Sequence, residues 1–230
     1  EGVDQTRCWF YTLHAIHTMS SGTPAFRRVI SNGLVLDKNG DKMSKRLGNA
    51  VDPFSQIDKY GADAVRWYML TNSQPWDNLR YDEAGVDEVR RKFFGTLYNT
   101  YSFFALYANL DNFDPKAPAV PYSGRPEIDR WIISLLNTLI KDVRAAYEDY
   151  DVTLAGRLIQ ALYEVLRYIA VLSAPIAPFF MDRLYLDLVP DGEESVHYAM
   201  MPESDGSLID KDLEERMELA QRASSMVLAL

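Results

Sequence analysis

The spacing of hydrophobic residues near the start of the chain is first typical of a helix and then typical of a strand. Trp9, Leu13 and Ile16 lie on one helical face, which predicts a helix over residues 5–20. Residues 26–36 form an apolar run broken by Asn-Gly, and this run predicts a strand. The first part of the chain is therefore expected to mix helix and strand.

Glycine, proline and aspartate mark the predicted ends of these elements. Gly33 inside the strand indicates either a bulge or a close approach of backbone or ligand, and the sequence leaves both open. Asn39-Gly40 predicts a tight turn. Asp52-Pro53 predicts a helix start, with the aspartate as cap and the proline in the first turn.

The next two boundaries follow closely. Gly61 is expected to end the first helix in a left-handed conformation, and Asp63 to cap a second one.

The chain beyond residue 81 has long apolar stripes at helical spacing. Its many aromatic residues fall on these stripes, which favours core packing over stacking on RNA bases. A proline-rich stretch at 111–125 predicts an extended connector, and residues 196–201 are expected to be extended. The predicted helices cover residues 82–109, 126–150, 153–172, 179–188 and 208–230.

These elements predict a mainly α protein with a small α/β portion. Long helices joined by short links indicate a bundle. We expect two domains, residues 1–80 with the mixed elements and residues 81–230 with the helical bundle.

Composition narrows the class of protein. The 230 residues are 47% hydrophobic, enough for a sizeable core, and no apolar run is long enough to cross a membrane. Cys8 is the single cysteine, so disulfides and cysteine-based zinc sites are excluded, which fits the cytoplasm. His14 and His17 lack a third ligand, so no metal site is expected. The total net charge of −9 argues against nucleic-acid binding, but it is compatible with a local basic surface.

The strongest candidate chemistry lies in the segment after the predicted turn. Lys42 and Lys45 are three residues apart on a loop between a strand and a helix start. Lysine ammonium groups on such a loop suit a polyphosphate whose charge shifts during a reaction. A solvated basic loop with no ligand is the alternative interpretation of two lysines at this spacing.

The complete sequence of this segment resembles a known signature. Lys42-Met43-Ser44-Lys45-Arg46 is similar to the KMSKS motif of class I aminoacyl-tRNA synthetases, and Gly48-Asn49 follows it, as is usual in that family. Further segments resemble the isoleucyl branch and cover nearly the whole chain. They are residues 1–7 (EGVDQTR), 59–66 (KYGADAVR), 72–81, 128–132 and 174–179.

The resemblance implies a fold and roles for individual residues. It implies the C-terminal part of a Rossmann-like nucleotide-binding domain, followed by a helical anticodon-binding domain. Lys42 and Lys45 would be catalytic. Capping of the first helix is the alternative role that spacing gives to Asp4. The residues implied to bind ATP or the adenylate are Glu1, Asp4, Gln5, Met43, Ser44 and Lys45.

The resemblance also implies substrates and partners. They are ATP with Mg²⁺, isoleucine and tRNA(Ile), without zinc or a membrane, and a monomer is expected. The chain is expected to be a fragment of a longer protein. No HIGH-like tetrapeptide for the triphosphate occurs in it, so we expect the fragment alone to be inactive.

Two positions depart from the family pattern. Cys8 stands where the family usually has glycine. Between Gln160 and Ala161 the family carries a further segment, which is deleted or omitted here.

Alternative functions remain. The chain could be a tRNA-binding helical module without catalysis, for which salt-dependent tRNA binding is expected. It could belong to the valyl enzyme of the same class, which residues 75–81 disfavour, or be a purely structural bundle. A P-loop ATPase is excluded because GxxxxGK[ST] is absent.

Overall fold

The computed structural model describes residues 1–114, 118, 120–161, 166–189 and 192–228. The chain divides into two compact units, Glu1–Arg90 and Arg91–Leu230, and each is described by itself. Within the described ranges, every helix is too short or too polar to pass through a bilayer.

The first unit combines short helices with one pair of parallel strands. A 3₁₀ turn at Val3–Arg7 precedes the first helix, so the predicted helix over 5–20 begins later than expected. The strands pair with Val35 opposite Leu79 and Leu36 opposite Arg80. The elements are α1 (Trp9–Ser21), β1 (Val35–Leu36), α2 (Pro53–Tyr60), α3 (Ala62–Asn72), β2 (Leu79–Arg80) and α4 (Glu83–Val89).

The predicted strand over 26–36 is mostly wrong, because only β1 is regular strand. A strand needs a neighbour for its backbone groups, and within the described residues β2 is the one regular strand that pairs with β1. Further upstream, Asn32 makes a single bridge to Gly2. The open question about Gly33 is answered by packing. A Cβ atom on Gly33 would lie 2.1 Å from the Asp77 carbonyl oxygen, so the glycine permits a close approach of backbone.

The helix boundaries after the candidate loop are partly as predicted. The Asp52 carboxylate accepts hydrogen bonds from the Phe54 and Ser55 amides, so it caps α2 as expected. Gly61 has the positive φ of 86°, but its ψ of 146° is extended and not left-handed helical. Capping by Asp63 is wrong, since α3 begins at Ala62 and Asp63 is buried inside its first turn.

The core of the first unit packs α3 against α4. Trp67 and Val86 are fully buried. The Tyr68 ring meets the Tyr81 ring edge to face at 5.8 Å. Gly85 lies directly under Tyr68, where a Cβ atom would come within 2.4 Å of the ring. This packing fixes the chain on both sides of β2.

Within the described residues of the second unit, all regular secondary structure is helical. It begins in a π-helical turn at Arg90–Phe94. Its 3₁₀ turns lie at Tyr122–Gly124, Val196–Tyr198 and Gly206–Leu208. The helices are α5 (Gly95–Leu110), α6 (Glu127–Glu148), α7 (Val152–Ala161), α8 (Leu166–Ser173), α9 (Pro178–Leu188) and α10 (Lys211–Leu228).

Most of these helices match the apolar stripes, and the mainly α prediction with a small α/β portion is confirmed. The single helix predicted over 153–172 is described as α7 and α8, and residues 162–165 between them lie outside the described ranges. Residues 196–201 are not simply extended. Ser195 accepts a hydrogen bond from the His197 amide, which stabilises the 3₁₀ turn there.

The core of the second unit lies between α6, α7, α8 and α9. Its fully buried side chains include Val143, Ile159, Leu172, Ile176 and Met181. A polar group attaches α10 to α6. The Asp210 amide donates to the Ser134 hydroxyl at 2.7 Å, and Ser134 in turn donates to the Glu214 carboxylate.

Candidate functional site

The candidate loop begins with a tight turn at the end of β1. The Asp37 amide donates to the Asp41 carbonyl and the Gly40 amide to the Asp37 carbonyl, each at 2.9 Å. Gly40 has φ of 94°, as the predicted Asn-Gly turn requires. Lys42 then bridges back to Leu36, so the chain leaves the turn alongside the strand.

The two lysines of the signature segment present uncommitted charges. Lys42, Lys45 and Arg46 are all exposed. Within the part of the chain that the structure describes, the two lysine ammonium groups make no hydrogen bond or ion pair. Lys59 of the same unit differs, because it pairs with Glu83 at 3.0 Å. The signature lysines are therefore available to an anionic ligand.

The backbone around Lys45 forms a second turn. The Leu47 amide donates to the Ser44 carbonyl at 3.1 Å and to its hydroxyl at 3.3 Å. The Gly48 amide donates to the Lys45 carbonyl at 3.3 Å, and Gly48 has φ of 68°. Ser44 and Met43 are half-buried. Ser44 thus supports the turn while its hydroxyl proton stays available to donate.

Glu1 lies at the other end of the same backbone segment. The Asn32 amide donates to the Glu1 carbonyl at 2.8 Å, and the Val3 amide to the Asn32 carbonyl at 2.8 Å. Asn32 and Leu36 are four residues apart, so their Cα atoms are at most about 14 Å apart. The structure therefore attaches Glu1 and Lys42 to one short segment of chain.

Asp4 and Gln5 occupy the 3₁₀ turn Val3–Arg7. The alternative role of Asp4 as the cap of α1 is wrong, because Cys8 holds the cap position and no side chain caps it. The Asp4 carboxylate instead folds over Gly2. The Gln5 carbonyl accepts a hydrogen bond from the Cys8 amide at 3.1 Å.

Two residues to which sequence reasoning gave no role hold the loop together. The Asn49 side chain donates to Asp37 Oδ2 at 3.0 Å and to the Lys42 carbonyl at 3.3 Å, and its oxygen accepts from the Ser44 amide at 2.9 Å. The hydrogen bond from Asn49, followed by those from the backbone amides of the turn, holds the pKa of Asp37 below its usual range. The sequence signal was the asparagine after Gly48, whose partner the spacing alone could not identify.

A cavity of about 390 Å³ lies beside this pair and extends to residues 81–83, where the chain passes from β2 into α4. Tyr81 lines it and donates to Gln56 at 3.2 Å, and Gln56 donates to Glu83 at 3.0 Å. Burial, and then the nearby Glu83 carboxylate, raise the pKa of Tyr81 to about 12. In the described ranges, no three His, Cys, Asp or Glu side chains are grouped as a metal ion requires.

Two family models match the chain. Residues 1–82 match "tRNA synthetases class I (I, L, M and V)". Residues 155–230 match "Anticodon-binding domain of tRNA ligase". The first match contains the whole candidate loop, and the second falls in the helical unit.

Curated relatives match over the whole chain. It is 55% identical to the isoleucine–tRNA ligase of Bacteroides fragilis and 56% identical to that of Porphyromonas gingivalis, with all of the chain covered in both. The chain spans only 23% of the length of either relative. The first match extends over 267 positions against 230 residues here, so 37 positions (267 less 230) lie opposite a gap in this chain.

Solved structures share the fold at low sequence identity. The ternary complex of an Agrobacterium radiobacter LeuRS with tRNA and LeuAMS superposes with a TM-score of 0.74 at 22% identity, over 91% of this chain and 28% of that one. Mycobacterium tuberculosis methionyl-tRNA synthetase with methionyl-adenylate gives 0.65 at 22% identity, over 83% of this chain and 43% of that one.

Proposed function

We propose a function from the premise that this chain belongs to the class I tRNA synthetases, as a segment of the isoleucine branch. The whole protein activates isoleucine with ATP and transfers it to tRNA(Ile). The chain supplies the phosphate-facing loop and part of the RNA-facing helices. The observation that supports this most is that the ammonium groups of Lys42 and Lys45 are exposed and have no partner among the described residues, on a loop anchored at both ends.

The chemistry of activation requires positive charge at a leaving group. A carboxylate oxygen of isoleucine attacks the α-phosphorus of ATP. The bond from that phosphorus to the bridging oxygen breaks, and pyrophosphate leaves with the electron pair. Lys45 stabilises the negative charge that builds on pyrophosphate, and Lys42 assists it. Because an ammonium group is a compact charge on a flexible stem, it can follow this charge as it moves.

The N-terminal segment holds the other side of the adenylate in this proposal. Glu1 contacts the aminoacyl-adenylate, with Asp4 and Gln5 beside it, and Met43 and Ser44 line the nucleotide. Two observations support this arrangement. Glu1 is exposed, and its backbone is bonded to the segment that leads to the loop.

Other parts of the reaction belong to the whole protein. Mg²⁺ is expected to accompany ATP, but the described residues offer no grouped ligands that fit it. The sequence has no HIGH-like tetrapeptide, so the chain alone is expected to be inactive in exchange. A monomeric, cytoplasmic protein remains a prediction.

The helical unit is proposed to contact tRNA, supported by the anticodon-binding match over 155–230. Several of its basic side chains already have acidic partners, such as Arg216 with Glu127 at 3.2 Å and Arg183 with Asp187 at 3.1 Å. RNA phosphates must compete with those carboxylates. The second candidate, a tRNA-binding module without catalysis, keeps this contact and lacks the role of the lysines.

The test is ATP–pyrophosphate exchange by the whole protein with isoleucine and with valine. Lys45→Ala is expected to lower kcat by about 10²–10³, the usual loss when one preorganised donor to a developing charge is removed. Lys38→Ala is the matched control, because Lys38 is an exposed lysine of the same loop outside the signature. It is expected to leave kcat within about twofold, the scale of surface charge effects.

Each outcome decides a separate claim. Exchange that prefers isoleucine and is lost with Lys45→Ala supports the proposal. Exchange that prefers valine refutes the isoleucine assignment. If Lys45→Ala behaves like Lys38→Ala, the lysine has no role at the transition state. If the whole protein binds tRNA but shows ATP–pyrophosphate exchange with neither amino acid, the second candidate function is supported.

A further inference from the structure

The segment between β1 and α2 contains a polar contact with no assigned role. Asn49 and Asp37 are twelve residues apart and enclose both signature lysines. The Asn49 amide makes three hydrogen bonds, and each ends on a different part of the loop: the turn, the Lys42 backbone and the Ser44 backbone. We call this pair of side chains the Asp37–Asn49 clasp.

On the turn side of the clasp, both oxygens of the Asp37 carboxylate accept hydrogen bonds. Asp37 Oδ1 accepts from the Asn39 and Asp41 amides, each at 2.9 Å, while Oδ2 accepts from Asn49. Asp37 directly follows β1, and β1 pairs with β2. The carboxylate therefore connects the loop to the one strand pair of this unit.

On the lysine side, the clasp binds the backbone of the loop and does not contact the lysine ammonium groups. Asn49 binds the carbonyl of Lys42 and the amide of Ser44, the residues on either side of Met43. The turn that starts at Ser44 carries Lys45. The clasp thus sets where both lysines leave the backbone without touching either ammonium group. Loss of such positioning costs up to about 10²-fold in rate for a displacement of roughly 1 Å.

We infer that Asn49 and Asp37 are positioning residues that hold Lys42 and Lys45 in register for the leaving pyrophosphate. This inference rests on the proposed function and adds to it a pair of side chains that touch no substrate. Its chemistry is specific: one partner must donate and the other must accept. Exchange of the two side chains is therefore a direct test.

The variants for this test are Asn49→Asp, Asp37→Asn and the double swap, all in the whole protein. Asn49→Asp brings two carboxylates together, and Asp37→Asn brings two amide donors together. The double swap restores a donor at 37 and an acceptor at 49, with the net charge unchanged. Asn39→Asp is the control, because it adds the same charge to the same turn, where only the backbone of Asn39 contacts the clasp.

Each single variant is expected to lower kcat for exchange by roughly 10–10² with a smaller change in KM for ATP. The double swap should recover only part of the lost kcat, because it restores the bond between positions 37 and 49 but leaves the Lys42 carbonyl without its donor. For Asn49→Asp alone, lower pH should reduce the defect, because two adjacent carboxylates take up one shared proton and regain a hydrogen bond. Asn39→Asp should show neither the defect nor this recovery.

A second readout needs no activity. Trypsin cleaves after Lys42, Lys45 and Arg46, so limited proteolysis measures how often the loop opens. Cleavage at these three sites should rise in both single variants and fall part of the way back in the double swap, at an unchanged Tm. If the singles leave cleavage and kcat unaltered, or if the double swap is as defective as the singles combined, the inference is wrong. A wild-type protein without isoleucine-dependent exchange refutes the proposed function, while the proteolysis still decides whether the clasp holds the loop.

Discussion

Gly33 is the residue whose replacement tests the packing behind the candidate loop most directly. A Cβ atom there would lie 2.1 Å from the Asp77 carbonyl oxygen and 2.8 Å from the Asn78 amide nitrogen. Both are backbone atoms, so no side-chain rotation relieves the contact. The Gly33 amide also donates to the Pro75 carbonyl at 2.9 Å. Gly33→Ala must therefore push apart the two segments that β1 and β2 extend.

The size of the effect follows from this overlap. Forcing one methyl group into a packed site typically costs about 1–3 kcal/mol. At 1.4 kcal/mol for each factor of ten, local opening of the strand pair becomes roughly 5–150-fold more frequent.

Amide hydrogen exchange measures this opening locally. The Leu79 amide donates to the Leu34 carbonyl and the Tyr81 amide to the Leu36 carbonyl, each at 2.9 Å. Both amides should exchange roughly 5–150-fold faster in Gly33→Ala. Gly206→Ala is the control, since its Cβ atom would meet nothing within 4 Å. Unchanged exchange at Leu79 and Tyr81 would refute the close approach of these backbones.

Two further predictions concern other parts of the chain. Ser134→Ala leaves the Asp210 amide without its acceptor, so it should lower the free energy of unfolding, measured in urea, by about 1–3 kcal/mol. Ser20→Ala, at an exposed site, should leave that free energy unchanged, and equal effects of the two variants would contradict the argument. Tyr81 is held neutral in the fold, with a pKa of about 12 against about 10 when unfolded, so its stabilising contribution is complete below pH 10 and disappears as the pH rises through 12. Unfolding measured between pH 9 and 11.5 should therefore show a smaller loss of stability for Tyr81→Phe than for wild type, while the exposed Tyr11→Phe keeps the wild-type slope.

Local signals in the sequence predicted local structure well. Asp52 and Pro53 fix the start of α2, because a cap and a first-turn proline act within a few residues. The apolar stripe of α6 is long enough that its helix was placed to within two residues at either end. The Asn39-Gly40 turn also formed as expected.

Structure that depends on distant partners was not predictable in the same way. The strand expected over 26–36 shrinks to two residues because its neighbour, β2, is itself two residues long. Asp63 resembles a cap in sequence, but the helix starts one residue before it, and the side chain is buried. The short turn at Val196–Tyr198 depends in part on Asp182, whose carboxylate accepts from the Val196 amide across a separation of fourteen residues.

The candidate site shows the same difference between local signals and distant partners. The two signature lysines were found from their spacing and from a family resemblance. The Asp37–Asn49 clasp was missed, because its partners are twelve residues apart and no periodic pattern connects them. In the folded chain the oxygen and the nitrogen of the Asn49 amide both form hydrogen bonds, which no sequence pattern indicates.

The way the candidate loop is held separates its shape from its charge. Its frame consists of hydrogen bonds within one short stretch of chain, while its cationic side chains extend into water without counter-ions inside the described residues. Dissolved salt screens exposed charges over a Debye length of about 8 Å at physiological ionic strength but scarcely affects short hydrogen bonds. Rising ionic strength should then weaken the attraction between the loop and a phosphate while leaving the geometry of the loop intact. In this fold, the affinity of the loop for an anion and the geometry in which the loop presents its charges are therefore two independent quantities.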